Sequence, residues 1–201
     1  DPDIVHVHFG NKARMLHAVG FKSSMVVTWH GYDANTVPRE RGKSYYRDMF
    51  LAPHRHTVGS SFMTACLKDL GCDKTSIIKI PMGIDLSKFS FHDRSGRVGR
   101  VLRIVSVGRL DEMKGHKFLI EAVASLISEG TQLTLRIVGE GPLRSELIKK
   151  IGGFGCSGRI QLLGAQPSER VLEEYQQADL FALTGIVASN GRVETQGVAF
   201  I

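Results

Sequence analysis

Cysteine, aromatic residues and long apolar runs are all scarce in this sequence, and each scarcity removes a class of protein. Cys66, Cys72 and Cys156 are the only cysteines in 201 residues. Three is an odd number and none stands in CxxC spacing, which argues against a disulfide framework and against a structural zinc site. A reducing, cytoplasmic setting is expected. No apolar run approaches the roughly 20 residues that a membrane-spanning helix needs. The start, Asp1-Pro-Asp3, has neither an initiator Met nor a signal-peptide pattern, so the sequence is expected to be a fragment. Aromatics make up 7% of the residues and are not interleaved with a basic stripe. Nucleic-acid binding, suggested by a pI of about 9.4, therefore lacks its stacking surface.

What is present is a mildly basic, core-forming composition. Hydrophobic residues make up 42%, enough for one large domain or two small ones. The net charge of +6 is spread over both halves: 12 basic against 8 acidic residues over 1–92, and 14 against 12 over 93–201. An anionic partner is expected, whether a nucleotide diphosphate, a polyprenyl-phosphate acceptor at a membrane surface or nucleic acid, and charge alone does not choose among them.

The chain reads as alternating strands and helices. Ile4–His8, Met25–Thr28, Thr57–Ser60 and Ile77–Ile80 are short β-rich runs separated by helix-length segments. From Asp93 to Arg100 the chain is polar, Gly-rich and without periodicity, as a linker would be. Beyond it the pattern is clearer. Leu102–Val107 is apolar and alternating, and Phe118, Leu119, Ala122, Val123, Leu126 and Ile127 share one helical face, with Gly130 placed to cap it. Pro142 is expected in the first turn of a helix that Gly152 ends. Ile160–Leu163 and Leu180–Leu183 are expected strands, and Ser168 is the expected cap of the helix between them. A doubly wound parallel sheet accounts for this order.

The most informative stretch is Val105-Ser-Val-Gly-Arg-Leu-Asp-Glu-Met-Lys-Gly-His116. A strand runs into a turn where Gly108 lets the chain bend, Arg109 supplies a planar five-donor fork, and Lys114 sets a point charge at the start of the next helix. Such a turn suits phosphates. Gly139-Glu-Gly-Pro142 repeats the strand-to-glycine-to-helix transition. It lacks the third glycine of a dinucleotide fingerprint, so it reads either as a ligand-approaching loop or as a plain turn. Glu194 follows a loop rich in Gly and Ser. His30 directly follows the strand Met25–Thr28. His6 with His8, and His54 with His56, lie two apart on strands, a spacing that makes zinc conceivable. With no nearby Cys and no HExxH pattern, they read better as core or surface histidines.

Taken in order, Thr28-Trp-His-Gly-Tyr-Asp33, Pro81-Met-Gly-Ile-Asp85, Gly108-Arg109-Leu110 with Lys114-Gly115, Gly139–Pro142 and Tyr175-Gln-Gln-Ala-Asp179 resemble glycosyltransferase family 4. Trp29–Asp33 looks most like the branch that builds bacterial exopolysaccharides of the colanic-acid type. The resemblance implies an α/β, GT-B-like fold with two Rossmann-like, doubly wound parallel-sheet domains, both truncated. Residues 1–92 would be the end of an acceptor-side domain, 93–100 a linker and 101–201 the start of a donor-binding domain. It also implies a second glutamate paired with Glu194, which would fall at position 202.

By the same resemblance the function is transfer of a sugar, with retention, from a nucleotide-diphosphate donor to a saccharide or lipid-linked saccharide. Arg109, Lys114, Glu194 and His30 would be catalytic, and Gly108, Gly139, Gly141 and Pro142 would help bind the donor. No metal and no cofactor would be needed, because Arg109 and Lys114 replace the divalent ion. A cytoplasmic enzyme, peripheral at the inner face of the membrane, is expected, with no nucleic-acid partner. A non-catalytic sugar-nucleotide-binding module is the alternative from another class.

Overall fold

The structure is a computed structural model that describes residues 2–88, 93, 101–195, 197 and 199. The linker expected over 93–100 lies outside the described residues apart from Asp93. Two compact units are present. One comprises Asp1–Gly83 with Val187–Val198, the other Ile84–Ile186 with Ala199–Ile201.

The first unit is built on a parallel sheet of β1 (Ile4–His8), β2 (Ser24–Trp29), β3 (Arg55–Val58) and β4 (Ile77–Lys79), in that spatial order. Its helices are α1 (Gly10–Ala18), α2 (Tyr32–Arg41), the single turn α3 (Arg47–Phe50) and α4 (Ser61–Asp69). Period-two burial is cleanest in β2, where Met25, Val27 and Trp29 face the core. The core is unusually aromatic. Trp29 meets Tyr46 edge-on at 4.9 Å between ring centroids, and Phe50 completes the cluster. Ser60 caps α4 by accepting from the Met63 N–H at 3.3 Å. β3 begins at Arg55, two residues earlier than the apolar run suggested, because His54 and His56 are drawn inward. His56 Nδ1 accepts the Trp29 indole N–H at 3.3 Å and His54 Nδ1 accepts the Met25 N–H at 3.3 Å.

The second unit has strand order β7-β6-β5-β8, all parallel, with β5 (Leu102–Val107), β6 (Leu133–Val138), β7 (Ile160–Gly164) and β8 (Leu180–Phe181). The order reverses at β5, which makes this sheet doubly wound. Helices α5 (His116–Ser128) and α6 (Arg144–Gly153) pack Leu119, Ile120, Val123, Leu147 and Ile151 onto Leu133, Leu135 and Ile137. Helix α7 (Ser168–Gln177) carries the buried Glu174, whose carboxylate takes a bidentate pair of hydrogen bonds from Arg136 on β6.

Three local expectations are corrected. Pro142 lies in a turn ahead of α6, because Leu143 N–H is drawn to the Leu110 carbonyl at 3.1 Å and the helix starts only at Arg144. The same helix runs through Gly152 to Gly153. Pro167, with an extended backbone, occupies the cap position of α7 and Ser168 is its first residue, without a side-chain cap.

His56 and His116 are 1% and 2% exposed, one in each unit. Burial holds both imidazoles neutral, with pKa values of about 4 against an ordinary 6.5. Because the folded pKa is the lower one, the unfolded chain binds more protons between these limits, and stability falls as pH drops from 6.5 to 4. The slope approaches about 1.4 kcal/mol per pH unit for each histidine. Denaturant unfolding of the wild type and of His56→Gln and His116→Gln across this range checks it. A stability that is flat with pH in the wild type contradicts the assignment.

Candidate active site

In each unit the expected residues gather in the loops at the carboxyl ends of the parallel strands. In the second unit, β5 leads into Gly108–Asp111. Leu110 is fully buried and pins this turn from within. Its N–H donates to Glu140 O at 3.0 Å, and the Gly108 N–H donates to Val138 O at 2.9 Å. The glycine loop after β6 thus lies backbone to backbone against the first loop. A Cβ on Gly139 would strike the Gly108 carbonyl, and one on Gly141 would strike the Leu110 backbone. The small size of both glycines is used in this loop-to-loop contact.

Arg109 projects from this platform with its side chain 68% exposed, and Asp111 stands 3.8 Å from its Nε. Lys114 ends a short 3-10 turn, Glu112–Lys114, with its methylene stem beside Gly108. Gly115 follows at φ 64° and starts α5. The loop after β8 locks this corner. Thr184 Oγ1 donates to Gly115 O at 2.7 Å, and Ile186 N–H donates to Met113 O at 3.0 Å. A Cβ at Gly115 would collide with the Thr184 carbonyl. Two cations therefore stand on a tightly bonded backbone beside the amino end of a 13-residue helix, an arrangement that favours anions.

In the first unit, the loops after β1 and β2 meet at Asp33. Its buried carboxylate accepts the Gly10 N–H at 2.7 Å, the Gly31 N–H at 3.0 Å and the His30 N–H at 3.1 Å, and its carbonyl accepts the Tyr46 hydroxyl at 2.8 Å. Burial raises the Asp33 pKa, and these backbone bonds oppose the rise. His30 is held by this scaffold, and its Nε2 lies 2.9 Å from His8 Nδ1. Its pKa is lowered, first by burial, with Asp33 opposing and the rings of His8 and His6 adding to the fall. His30 is therefore neutral near pH 7 and can donate one hydrogen bond and accept another. His6 Nε2 is 2.7 Å from Thr28 Oγ1, so of the two histidines on β1 only His8 joins His30. Among the described residues, no group of three or more His, Cys, Asp or Glu side chains is placed to hold a metal ion.

Glu194 groups with this first unit. Its Oε1 accepts from the Thr195 and Gly197 N–H groups at 3.2 and 3.1 Å, which folds the carboxylate over its own turn. The adjoining Thr195 methyl rests on Gly31, where a Cβ would collide with it. The Glu194 turn and the His30 loop are thereby packed together.

The sequence profile of the family described as glycosyl transferases group 1 matches residues 87–200, more than half of the chain. The chain belongs to this family. Two relatives agree with the assignment. WcaL of Salmonella typhimurium, whose name ties it to colanic acid biosynthesis, is 30% identical over 99% of this chain and 50% of its own length. AmsK of Erwinia amylovora, an amylovoran biosynthesis glycosyltransferase, is 31% identical over 99% of this chain and 50% of its own length. The chain spans about half the length of the curated relatives it matches. Among solved structures, Anabaena HepE in complex with UDP and glucose superposes with a TM-score of 0.71 over 91% of this chain and 53% of HepE, at 18% identity. That likeness establishes the fold, which is of the GT-B glycosyltransferase type. Arg109, Lys114, Gly139, Gly141, Pro142 and Glu194 all lie inside the family match, and His30 lies outside it.

Asp33 and Thr184 were not singled out from the sequence. An Asp two residues after a glycine at a helix start is the signature of a side chain folded onto its own loop, so Asp33 carried a readable signal. Thr184 carried none.

Gly115→Ala is expected to destabilise the second unit by about 2–4 kcal/mol, combining left-handed strain with a clash against the Thr184 carbonyl. Gly130→Ala, at φ 92° with open space around the new methyl, should cost only about 1 kcal/mol. Chemical denaturation of the two variants compares them directly. Equal losses would show that the Thr184 contact does not constrain the turn.

Proposed function

We propose that this chain is part of a retaining glycosyltransferase that moves a sugar from a nucleotide-diphosphate donor to a saccharide or lipid-linked saccharide acceptor in cell-surface polysaccharide synthesis. The observation that carries the reading is the basic turn Gly108–Gly115, in which Arg109 and Lys114 stand on a backbone pinned by Leu110 and Thr184. UDP-bound HepE and the polysaccharide-synthesis names of WcaL and AmsK support the donor and acceptor classes.

In the reaction, the bond from the anomeric carbon to the β-phosphate oxygen breaks, and negative charge grows on the leaving diphosphate. Arg109, by paired hydrogen bonds, and Lys114, as a point charge beside the α5 terminus, stabilise that charge without reorganising. They take the place of a divalent ion, so the reaction needs neither metal nor cofactor. The acceptor oxygen bonds to the anomeric carbon on the face the diphosphate leaves, and its proton passes to the departing phosphate oxygen. Glu194 accepts hydrogen bonds from sugar hydroxyls, and neutral His30 positions a hydroxyl. The setting is the cytoplasm, peripheral to the inner face of the membrane, where the surplus of basic residues meets anionic lipid headgroups.

In the intact native protein, Arg109→Ala or Lys114→Ala should lower turnover by about 10²–10³-fold, with donor binding weakened less. Arg109→Lys should recover little, because one ammonium cannot make a guanidinium's paired contacts. The assay is transfer or donor hydrolysis across a panel of nucleotide sugars in the presence of EDTA, with the anomeric proton of the product followed by NMR. An inverted product, abolition by EDTA, or alanine variants that change only the Michaelis constant would each refute this mechanism.

A further inference from the structure

Phe9 is out of place by every structural criterion. It is the one non-glycine residue among those described with a positive φ, at φ 73° and ψ 122°, a conformation that a bulky side chain disfavours. The strain is locked in by the backbone. Phe9 N–H donates to Thr28 O at 2.9 Å, while its carbonyl accepts from Lys12 N–H at 3.0 Å and Ala13 N–H at 3.2 Å. A glycine would suit this corner better, yet the residue is a phenylalanine that belongs to neither hydrophobic core and is 40% exposed. Strained backbone that the surroundings over-determine clusters at functional sites.

What the ring touches gives it a purpose. Its centroid lies 4.5 Å from that of His30, tilted by 43°, and His30 is bonded to His8. In the tautomers in which each ring carries one hydrogen, the hydrogen shared between His8 Nδ1 and His30 Nε2 decides the other two ring nitrogens together. If His8 donates, His30 Nδ1 carries a hydrogen and His8 Nε2 is bare; if His30 donates, the reverse holds. In either state the pair offers one donor and one acceptor beside an exposed aromatic face. A pyranose matches this surface, because one face presents a patch of C–H groups and its edge carries hydroxyls that both donate and accept.

We propose that Phe9 is the stacking platform for a pyranose ring of the acceptor saccharide, with the His8–His30 pair addressing that ring's hydroxyls. The proposal rests on the transferase reading for the word acceptor, and on the geometry of Phe9 for the sugar itself.

The test is saturation-transfer-difference NMR on the intact native protein, using the methyl glycosides of glucose, galactose and mannose as probes, for the wild type, Phe9→Gly and Phe9→Trp. The wild type should saturate the C–H protons of one pyranose face in at least one glycoside. The effect should fall at least tenfold in Phe9→Gly and persist in Phe9→Trp. Phe9→Gly should also melt no lower than the wild type, since glycine adopts this φ without strain and the ring lies outside the cores. The proposal is overturned if no glycoside binds the wild type, if Phe9→Gly binds as the wild type does, or if Phe9→Gly melts lower by the margin of a lost core phenylalanine. Donor hydrolysis by the wild type is read separately. Its absence would sink the transferase reading, while glycoside binding at Phe9 would still decide the platform.

Discussion

The basic turn of the second unit depends on one close approach, the Cα of Gly115 lying against the carbonyl oxygen of Thr184. It closes the Lys114 corner, while the bonds of Leu110 and Gly108 to the glycine loop hold the turn of Arg109. Long cationic side chains lose rotamer entropy when they are fixed, so a site that is to act electrostatically needs a base that does not move. Here the base is a stack of three loops: the turn after β5, the glycine loop after β6 and the segment after β8. They are joined by backbone hydrogen bonds and packed closer than any Cβ would permit.

The first unit reaches the same end by charge instead of contact. One buried carboxylate, Asp33, gathers three N–H groups from two loops. Three backbone donors on one carboxylate offset much of the cost of its burial. The corner it creates holds the His30 loop, Gly10 against the Trp29 ring, and Phe9 in a backbone state it would not choose. Placing Phe9 beside His30 gives the first unit a surface suited to a sugar ring.

How much of this was legible differs by element. Helix α5, expected from the apolar face Phe118 to Ile127 with Gly130 as its cap, is found at His116–Ser128, because six apolar residues at helical spacing leave no competing register. β8, expected over Leu180–Leu183, is only Leu180–Phe181. Short apolar runs have no strong period, and the hydrogen bond from Ile186 to Met113 pulls the chain away from the sheet. Arg109, Lys114, His30 and Glu194 stood out because glycines and strand ends frame them in the sequence. Thr184 and the His8–His30 bond did not, since each joins residues that only the parallel strand order brings side by side.

By itself, then, the order of apolar periods and glycine turns determined the α/β class and the doubly wound sheet of the second half, and the motifs set in that order resemble the family to which the chain belongs. Those properties are local or additive: each segment buries its own stripe and bends at its own glycines. Only the tertiary structure decided which groups act on one another. It set Gly139 and Gly141 against the loop of Arg109, closed the Lys114 corner with Thr184, drew the Glu194 turn onto Gly31, and exposed Phe9 beside His30. The reason is physical. A parallel sheet brings the ends of strands distant in sequence into register, so its loops meet partners that no sequence spacing encodes.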